Sequence, residues 1–174
     1  LTPKFSLKLS LPHTKNVKTK DRQINYDNIY NLDRLNIEDL NEGGISAIYG
    51  YEYTKINRNT LNEQIRFGIA NNLRFEENKK LPNNSNLGDK VSDFVGLFQY
   101  KPNDNFIFDY DFSLKNNLVE KNYELFGFEF YLNNFTSKIE YINENNSNSK
   151  TSYLQNETRY NFNENNSLAF KTRE

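Results

Sequence analysis

The chain is built of segments in which apolar and polar residues alternate one by one. The clearest runs from Phe106 to Lys115, where every second residue is aromatic or leucine and most of the others are polar. A period of two is typical of a β-strand with one apolar and one polar face. The pattern predicts an all-β fold, an antiparallel up-and-down meander of about eight to nine strands. The other predicted strands are 4–11, 45–53, 63–75, 91–100, 125–132, 135–141, 154–162 and a last one from Ser167.

The connections between these segments alternate in length. Those near residues 57, 103, 133 and 164 are short, whereas 12–43, 76–90, 115–121 and 143–150 are longer and polar. The predicted strands are about 9–13 residues long, which exceeds the usual five or six of soluble sheets. Outer-membrane barrels combine long strands with short turns at one edge and long loops at the other. The pattern therefore favours part of a larger transmembrane outer-membrane β-barrel, with a soluble sheet that has one wet face as the alternative.

The composition narrows the class of protein. Only 36% of the residues are hydrophobic and the mean hydropathy is -0.90, but Phe 14 and Tyr 12 supply apolar area of the kind that favours strands. A net charge of -1 argues against a nucleic-acid-binding domain. Cys 0 excludes disulfides and cysteine-ligated metals in this chain. No apolar run approaches the roughly 18 residues of a membrane helix, so a helical membrane protein is excluded.

Candidate catalytic groups find little support in the pattern. His13 is the only histidine and lies in a basic loop, as expected of a solvated side chain. Asp109 and Asp111 share one strand face, but no neighbouring residues predict a pocket around them. Asp39 and Glu42 lack the spacing of a calcium loop and are interpreted as hydrogen-bond acceptors that fix their loop. No catalytic residue, metal site or cofactor is predicted.

The irregular stretch Asn28–Tyr53 carries a motif. Its residues are Arg34, Asp39, Glu42 and Gly44, followed by the pair Tyr49-Gly50. This order resembles the motif of the LPS-assembly outer-membrane proteins of the LptD (OstA) family, where LPS is lipopolysaccharide.

Later segments also resemble that family. Ser92-Asp93, Val95-Gly96 and Pro102–Asn105 are similar to its next strand and turn, while Asp33, Ile37 and Leu40 depart from the motif. The resemblance implies that residues 1–174 are a partial barrel domain, truncated at both ends and without the family's periplasmic amino-terminal domain.

The resemblance also implies a function. Such proteins are barrels of the bacterial outer membrane that deliver lipopolysaccharide to the outer leaflet. They work with a lipoprotein plug (LptE-like) and a periplasmic bridge protein (LptA-like), and they are not enzymes. A diffusion porin or other outer-membrane barrel, and a soluble β-sheet binding module, stay open as alternatives.

Within such a barrel the two strand faces have different expected surroundings. The loop Asp27–Gly44 is expected at or in the outer mouth of the barrel. The residues expected to face a water-filled lumen are Asp109, Asp111, Glu129, Lys138, Glu140, Glu157 and Arg159. Those expected to face lipid are Phe106, Phe108, Tyr110, Phe112, Phe126, Phe128 and Phe130.

Overall fold

Nine antiparallel strands form a single sheet in the computed structural model, which describes residues 1–11, 13–58, 61–145 and 150–174. Each strand pairs with its neighbours in the chain, so the order in the sheet is the order in the sequence. The strands are β1 Thr2–Ser10, β2 Gly44–Ile56, β3 Glu63–Arg74, β4 Phe94–Asn103, β5 Phe106–Leu114, β6 Lys121–Leu132, β7 Phe135–Asn145, β8 Lys150–Asn163 and β9 Asn166–Arg173. The predicted antiparallel meander is confirmed. Among the described residues β1 pairs only with β2 and β9 only with β8, so the sheet is not closed on itself.

The predicted alternation of connection lengths holds only in part. The connections that follow β1, β3 and β5 lie at one end of the strands, called the long-loop edge, whereas those that follow β2, β4, β6 and β8 lie at the opposite edge. The connection after β5, predicted to be longer, spans residues 115–120 and is as long as the connection 57–62 after β2. In the tight turn after β6, Asn133 has a φ of 47°, a left-handed conformation that asparagine tolerates well. The predictions that fall on Pro12, Asn59, Thr60 and residues 146–149 lie outside the described residues. No helix in the described part of the chain is long and apolar enough to cross a membrane.

The start of β4 differs from the prediction. The strand begins at Phe94 instead of Val91 and continues to Asn103, so the predicted turn 101–105 shrinks to Asp104 and Asn105. Ser92 and Asp93 are fully buried, and their backbone bonds to Asn72 and Ser85 divert the chain before the strand starts. The alternating pattern could not show this, because the diverting partners lie in other segments of the chain.

The sheet has one aromatic face and one polar face. Pairing registers place Tyr53, Phe67, Phe98, Tyr110, Phe126, Tyr141 and Leu154 in a single row across β2 to β8. Because side chains alternate along a strand, this row and its equivalents above and below share one side of the sheet. We call this side the aromatic face and the opposite side the polar face. The registers also settle the orientation of β4, whose Phe94, Phe98 and Tyr100 lie on the aromatic face.

The buried core lies on the polar side of the sheet. It forms where the loop of residues 13–43, called the inserted loop below, covers part of the polar face. Loop residues Val17, Ile24, Tyr26, Ile29 and Leu35 are all at most 2% exposed. They pack with Ile48, Ala70, Val95 and Leu97 of the strands and with Leu81 and Leu87 of the connection 75–93. The few apolar residues of an otherwise polar loop are therefore its anchors.

Candidate functional site

Two glycines on the polar face make room for the inserted loop. A β-carbon on Gly68 would overlap the ring of Tyr26, and one on Gly50 would overlap the Tyr30 hydroxyl and the carbonyl oxygen of Ile69. The rings of Tyr26 and Tyr30 meet edge to face with centroids 6.1 Å apart. The loop therefore lies directly on the backbone of β2 and β3, which only glycine permits at these positions.

A buried ion pair fixes the end of the inserted loop. Arg34 donates from Nε to both oxygens of Glu42 at 3.0 Å and from Nη2 to Oε2 at 2.7 Å. Its Nη1 donates to Asn72 Oδ1 on β3 at 3.0 Å. The Arg34 side chain is fully buried and that of Glu42 is 4% exposed. A two-point arginine–carboxylate contact of this kind fixes geometry as well as charge.

Cations on the strands complete the arrangement around Glu42. Lys8 Nζ on β1 lies 3.0 Å from Glu42 Oε1, and Arg74 Nη1 on β3 lies 3.9 Å from Oε2. Arg74 also donates to the backbone oxygens of Glu42 and Gly43. Burial would raise the pKa of the Glu42 carboxyl, but Arg34 and Lys8 outweigh it and hold the pKa below its usual range. Three cations thus surround one carboxylate that is ionised at neutral pH. We call these four residues the Glu42 cluster.

The second loop, residues 75–93, holds the inserted loop from the other side. Asn78 Nδ2 donates to Thr14 Oγ1 at 2.7 Å and to the Glu42 carbonyl at 2.8 Å. The Val17 amide donates to the Lys80 carbonyl at 2.8 Å. Asn84 Nδ2 donates to Asp21 Oδ1 at 2.8 Å. The two loops therefore form one hydrogen-bonded unit at the edge of the sheet.

Asp93 joins the second loop to β5 and β6. Its carboxylate is fully buried and accepts from Asn86 Nδ2 at 2.6 Å, from Ser113 Oγ at 2.9 Å and from Asn122 Nδ2. No cation contacts it among the described residues. Side-chain amides and a hydroxyl therefore satisfy this buried charge, which fixes the loop end where β4 begins.

The motif residues are only partly brought together. Arg34, Glu42 and Gly50 take part in seating the loop, and Gly44 has a φ of 83° beside Arg74. Asp39 is exposed and forms no hydrogen bond among the described residues, so its interpretation as a loop-fixing acceptor stays a prediction, whereas that of Glu42 is confirmed. Tyr49 is 38% exposed on the aromatic face, away from the cluster.

Sequence reasoning missed several residues that hold the inserted loop on the sheet, among them Lys8, Tyr26, Gly68, Asn72 and Arg74. Alternation places the strand residues among them on the polar face, but it carries no information on which loop side chain they contact. Ile37 and Leu40, which depart from the family motif, pack against the core. Their apolar character could have signalled that this part of the loop is covered.

The residues expected to face a lumen all lie on the polar face. The row Ile107, Glu129, Lys138, Glu157 and Lys171 alternates in charge from β6 to β9. Lys138 Nζ lies 3.3 Å from Glu129 and 2.8 Å from Glu140, and Lys171 lies 2.8 Å from Glu157. The other expected lumen residues on this face are Asp109, Asp111 and Arg159. The part of the polar face beyond the inserted loop is thus a surface of mixed, partly paired charges.

The residues expected to face lipid all lie on the aromatic face. Tyr110 and Phe126 stack with centroids 4.4 Å apart, and Phe108 and Phe128 lie 5.0 Å apart. Phe106 and Phe130 lie 5.1 Å apart, while Phe112 contacts Tyr110 at 5.5 Å. Although the rings contact one another, none is buried: Phe108 is 42% exposed and Phe126 49%, and the other five are half-buried.

The inserted loop reaches across the polar face as far as β7. It packs on β2, β3 and β4, and its residues Asp21, Asn28 and Arg34 line the same cavity of about 270 Å³ as Glu144 at the end of β7. Strands lie about 4.8 Å apart, so three strand spacings, roughly 14 Å, separate β4 from β7 along the sheet. The loop therefore covers more of the polar face than the strands on which its apolar residues pack.

The site contains no arrangement for metal chemistry in the described part of the chain, where no group of three or more His, Asp or Glu residues could hold an ion. Its geometry is that of a two-faced antiparallel sheet with a fixed loop on its polar side.

Comparison with known proteins agrees with the motif. The family model for LptD, described as LPS transport system D, matches residues 8–171 and thus covers nearly all of the sheet and both loops. No curated protein and no solved structure matches the chain. Since the match covers far more than half of the 174 residues, the chain belongs to the LptD family of the lipopolysaccharide transport system.

Proposed function

We propose that this chain is part of the wall of an outer-membrane barrel through which lipopolysaccharide reaches the outer leaflet. The polar face lines the lumen, the aromatic face contacts lipid, and the inserted loop occupies part of the lumen near its outer mouth. Family membership supports the transport role. Beyond that role we propose the outer membrane as the location of the protein, lumen and lipid as the surroundings of its two faces, and the lumen as the route of the substrate.

The observation that carries the proposal is the inverted burial of the sheet. In a water-soluble sheet the aromatic face would be covered and the polar face would be wet. Here the core lies on the polar side, while large apolar side chains remain 37–74% exposed on the other side, including those of Phe5, Tyr51, Phe67, Phe98, Phe108, Phe126, Tyr141 and Leu154. A continuous exposed apolar surface of this kind indicates a lipid or protein environment.

Charge placement supports lipid as that environment. On the aromatic face of the described strands, the charged residues are Lys55, Glu63, Lys121, Glu124 and Lys150, all near strand ends. A charge at the middle of a bilayer costs about 2–4 kcal/mol, and the cost falls to about 0–1 near the interfaces. Glu124 is in addition paired with Lys121 at 2.6 Å. Charges confined to the strand ends are expected of a sheet whose middle lies in a bilayer.

The polar face suits the sugar part of lipopolysaccharide. Its ion pairs and amides, such as Gln99 Nε2 donating to Asp109 Oδ1 at 2.7 Å, offer many donors and acceptors without a single dominant charge. Hydroxyl-rich sugars can exchange hydrogen bonds along such a surface and leave it again. The acyl chains do not fit there and must leave sideways between strands.

Photo-crosslinking tests this assignment at two adjacent residues. In the full-length protein, a photoreactive residue at Glu129 on the polar face should capture lipopolysaccharide, and the adduct should disappear when transport is stopped. The same residue at Phe130, at the same height on the aromatic face, should capture phospholipid. A Glu129 position that yields no lipopolysaccharide adduct, combined with passage of small solutes, would indicate a diffusion porin instead.

A further inference from the structure

Six lysines form an exposed basic surface at the edge of the sheet that carries the long loops. They are Lys15, Lys18, Lys20, Lys79, Lys80 and Lys90, and we call them the basic rim. All six side chains are exposed, and among the described residues none forms an ion pair. The chain as a whole has a net charge of -1, so this local excess of positive charge stands out from its surroundings.

The fold brings two separate stretches of sequence together to make the rim. The Val17 amide binds the Lys80 carbonyl at 2.8 Å, and the Arg74 amide binds the Lys90 carbonyl at 2.8 Å. Val17 and Leu81 are each 2% exposed and point into the core. The buried side chains of Val17 and Leu81 therefore fix the backbone next to Lys18 and Lys80, whose own side chains are exposed.

The carboxylates near the rim neutralise only part of it. Residues 13–22 contain Lys15, Lys18, Lys20 and Arg22 but a single acid, Asp21, which accepts a hydrogen bond from Asn84. In residues 76–90 the acids Glu76, Glu77 and Asp89 match the three lysines in number, and Asp89 interacts electrostatically with Lys79. The excess of positive charge is therefore carried by residues 13–22, and unlike the cations of the Glu42 cluster the six rim lysines are neither buried nor in ion pairs among the described residues.

We propose that the basic rim binds the phosphate groups of anionic lipids at the outer surface of the membrane. The inference rests on the proposed function, because only a barrel orientation places the long-loop edge at a leaflet surface. Lysines within a few ångströms of an anionic surface each contribute about 1 kcal/mol of attraction. A rigid rim beside the inserted loop would hold the membrane surface against the barrel mouth.

Binding to lipid micelles tests the inference on the detergent-solubilised full-length protein. The probe is a mixed micelle that contains phosphatidic acid, compared with one that contains phosphatidylcholine. The variant K15Q/K18Q/K79Q/K80Q should bind phosphatidic acid at least about tenfold more weakly, since it removes four of the six charges. The charge-preserving variant K15R/K18R/K79R/K80R should keep its affinity, and K55Q/R58Q at the opposite edge should bind like the unmodified protein.

Two outcomes would overturn the inference. One is equal affinity of the glutamine and arginine variants for phosphatidic acid. The other is equally strong competition by free inorganic phosphate at the same phosphate concentration, which would show that no lipid surface is recognised. These outcomes can be told apart from failure of the proposed function. If the proposed function is wrong, Glu129 gives no lipopolysaccharide adduct, whatever the micelle experiment shows. If only the lipid-binding inference is wrong, that adduct still forms.

Discussion

Glu42→Gln is expected to free the inserted loop from the polar face. The substitution keeps the size of the side chain but leaves Lys8, Arg34 and Arg74 around a neutral amide. Removing one partner of a buried ion pair typically costs about 3–5 kcal/mol, because the remaining charges stay buried without compensation. Hydrogen exchange of the full-length protein should therefore show that amides such as those of Val17, Ile29 and Leu40 open far more readily.

Glu38→Gln is the matched control for this prediction. Glu38 lies in the same loop, is exposed and should tolerate the same substitution within about 0.5 kcal/mol. The double variant R34M/E42Q removes both members of the central pair and should cost less than the two single changes added together. Unchanged exchange of the loop amides in Glu42→Gln would show that the Glu42 cluster does not hold the loop.

Gly68→Ala is expected to displace the inserted loop at its midpoint. The added methyl group would overlap three ring atoms of Tyr26, which is only 2% exposed and cannot rotate freely. Overpacking of a filled site costs typically about 1–3 kcal/mol. Trypsin should consequently cleave the loop faster at Arg22. In the proposed barrel the displaced loop occupies less of the lumen, so liposomes that contain the full-length variant should admit small sugars faster.

Gly127→Ala provides the comparison on the same face. Its new methyl group would meet its nearest neighbour, Asp109 Cβ, at 3.4 Å, an ordinary van der Waals contact. Loop cleavage and sugar uptake should match those of the unmodified protein. Equal behaviour of the two alanine variants would mean that Tyr26 does not occupy the space above Gly68.

The fold was predictable because its strands carry a strong local signal. Alternation from Phe106 to Leu114 assigns a face to every residue, and Asn133-Asn134 marks a tight turn, without reference to distant residues. The start of β4 was not predictable, because it depends on contacts of Ser92 and Asp93 with Asn72 and Ser113, which are remote in sequence.

The candidate site was predictable only in part for the same reason. Arg34 and Glu42 stand out in the motif. Their pairing beside Lys8 and Arg74, however, depends on the path of a loop that has no periodic pattern. The requirement for glycine at residues 68 and 50 arises from Tyr26 and Tyr30, which approach from the loop, and at residue 50 also from the Ile69 carbonyl oxygen. Tertiary packing determines such contacts, and the alternation of residues along the strands carries no information about them.

The central claim is that one face of this sheet contacts water in a lumen and the other contacts lipid. The chain contains no cysteine, so single cysteines can be placed in it without background from the described strands. In the full-length protein in its membrane, cysteines at Asp109 and Glu129 should react readily with a water-soluble thiol reagent. Cysteines at Phe108 and Phe128, one residue away in each strand, should react poorly. Fast labelling at Phe108 and Phe128 together with protection at Asp109 and Glu129 would contradict the account.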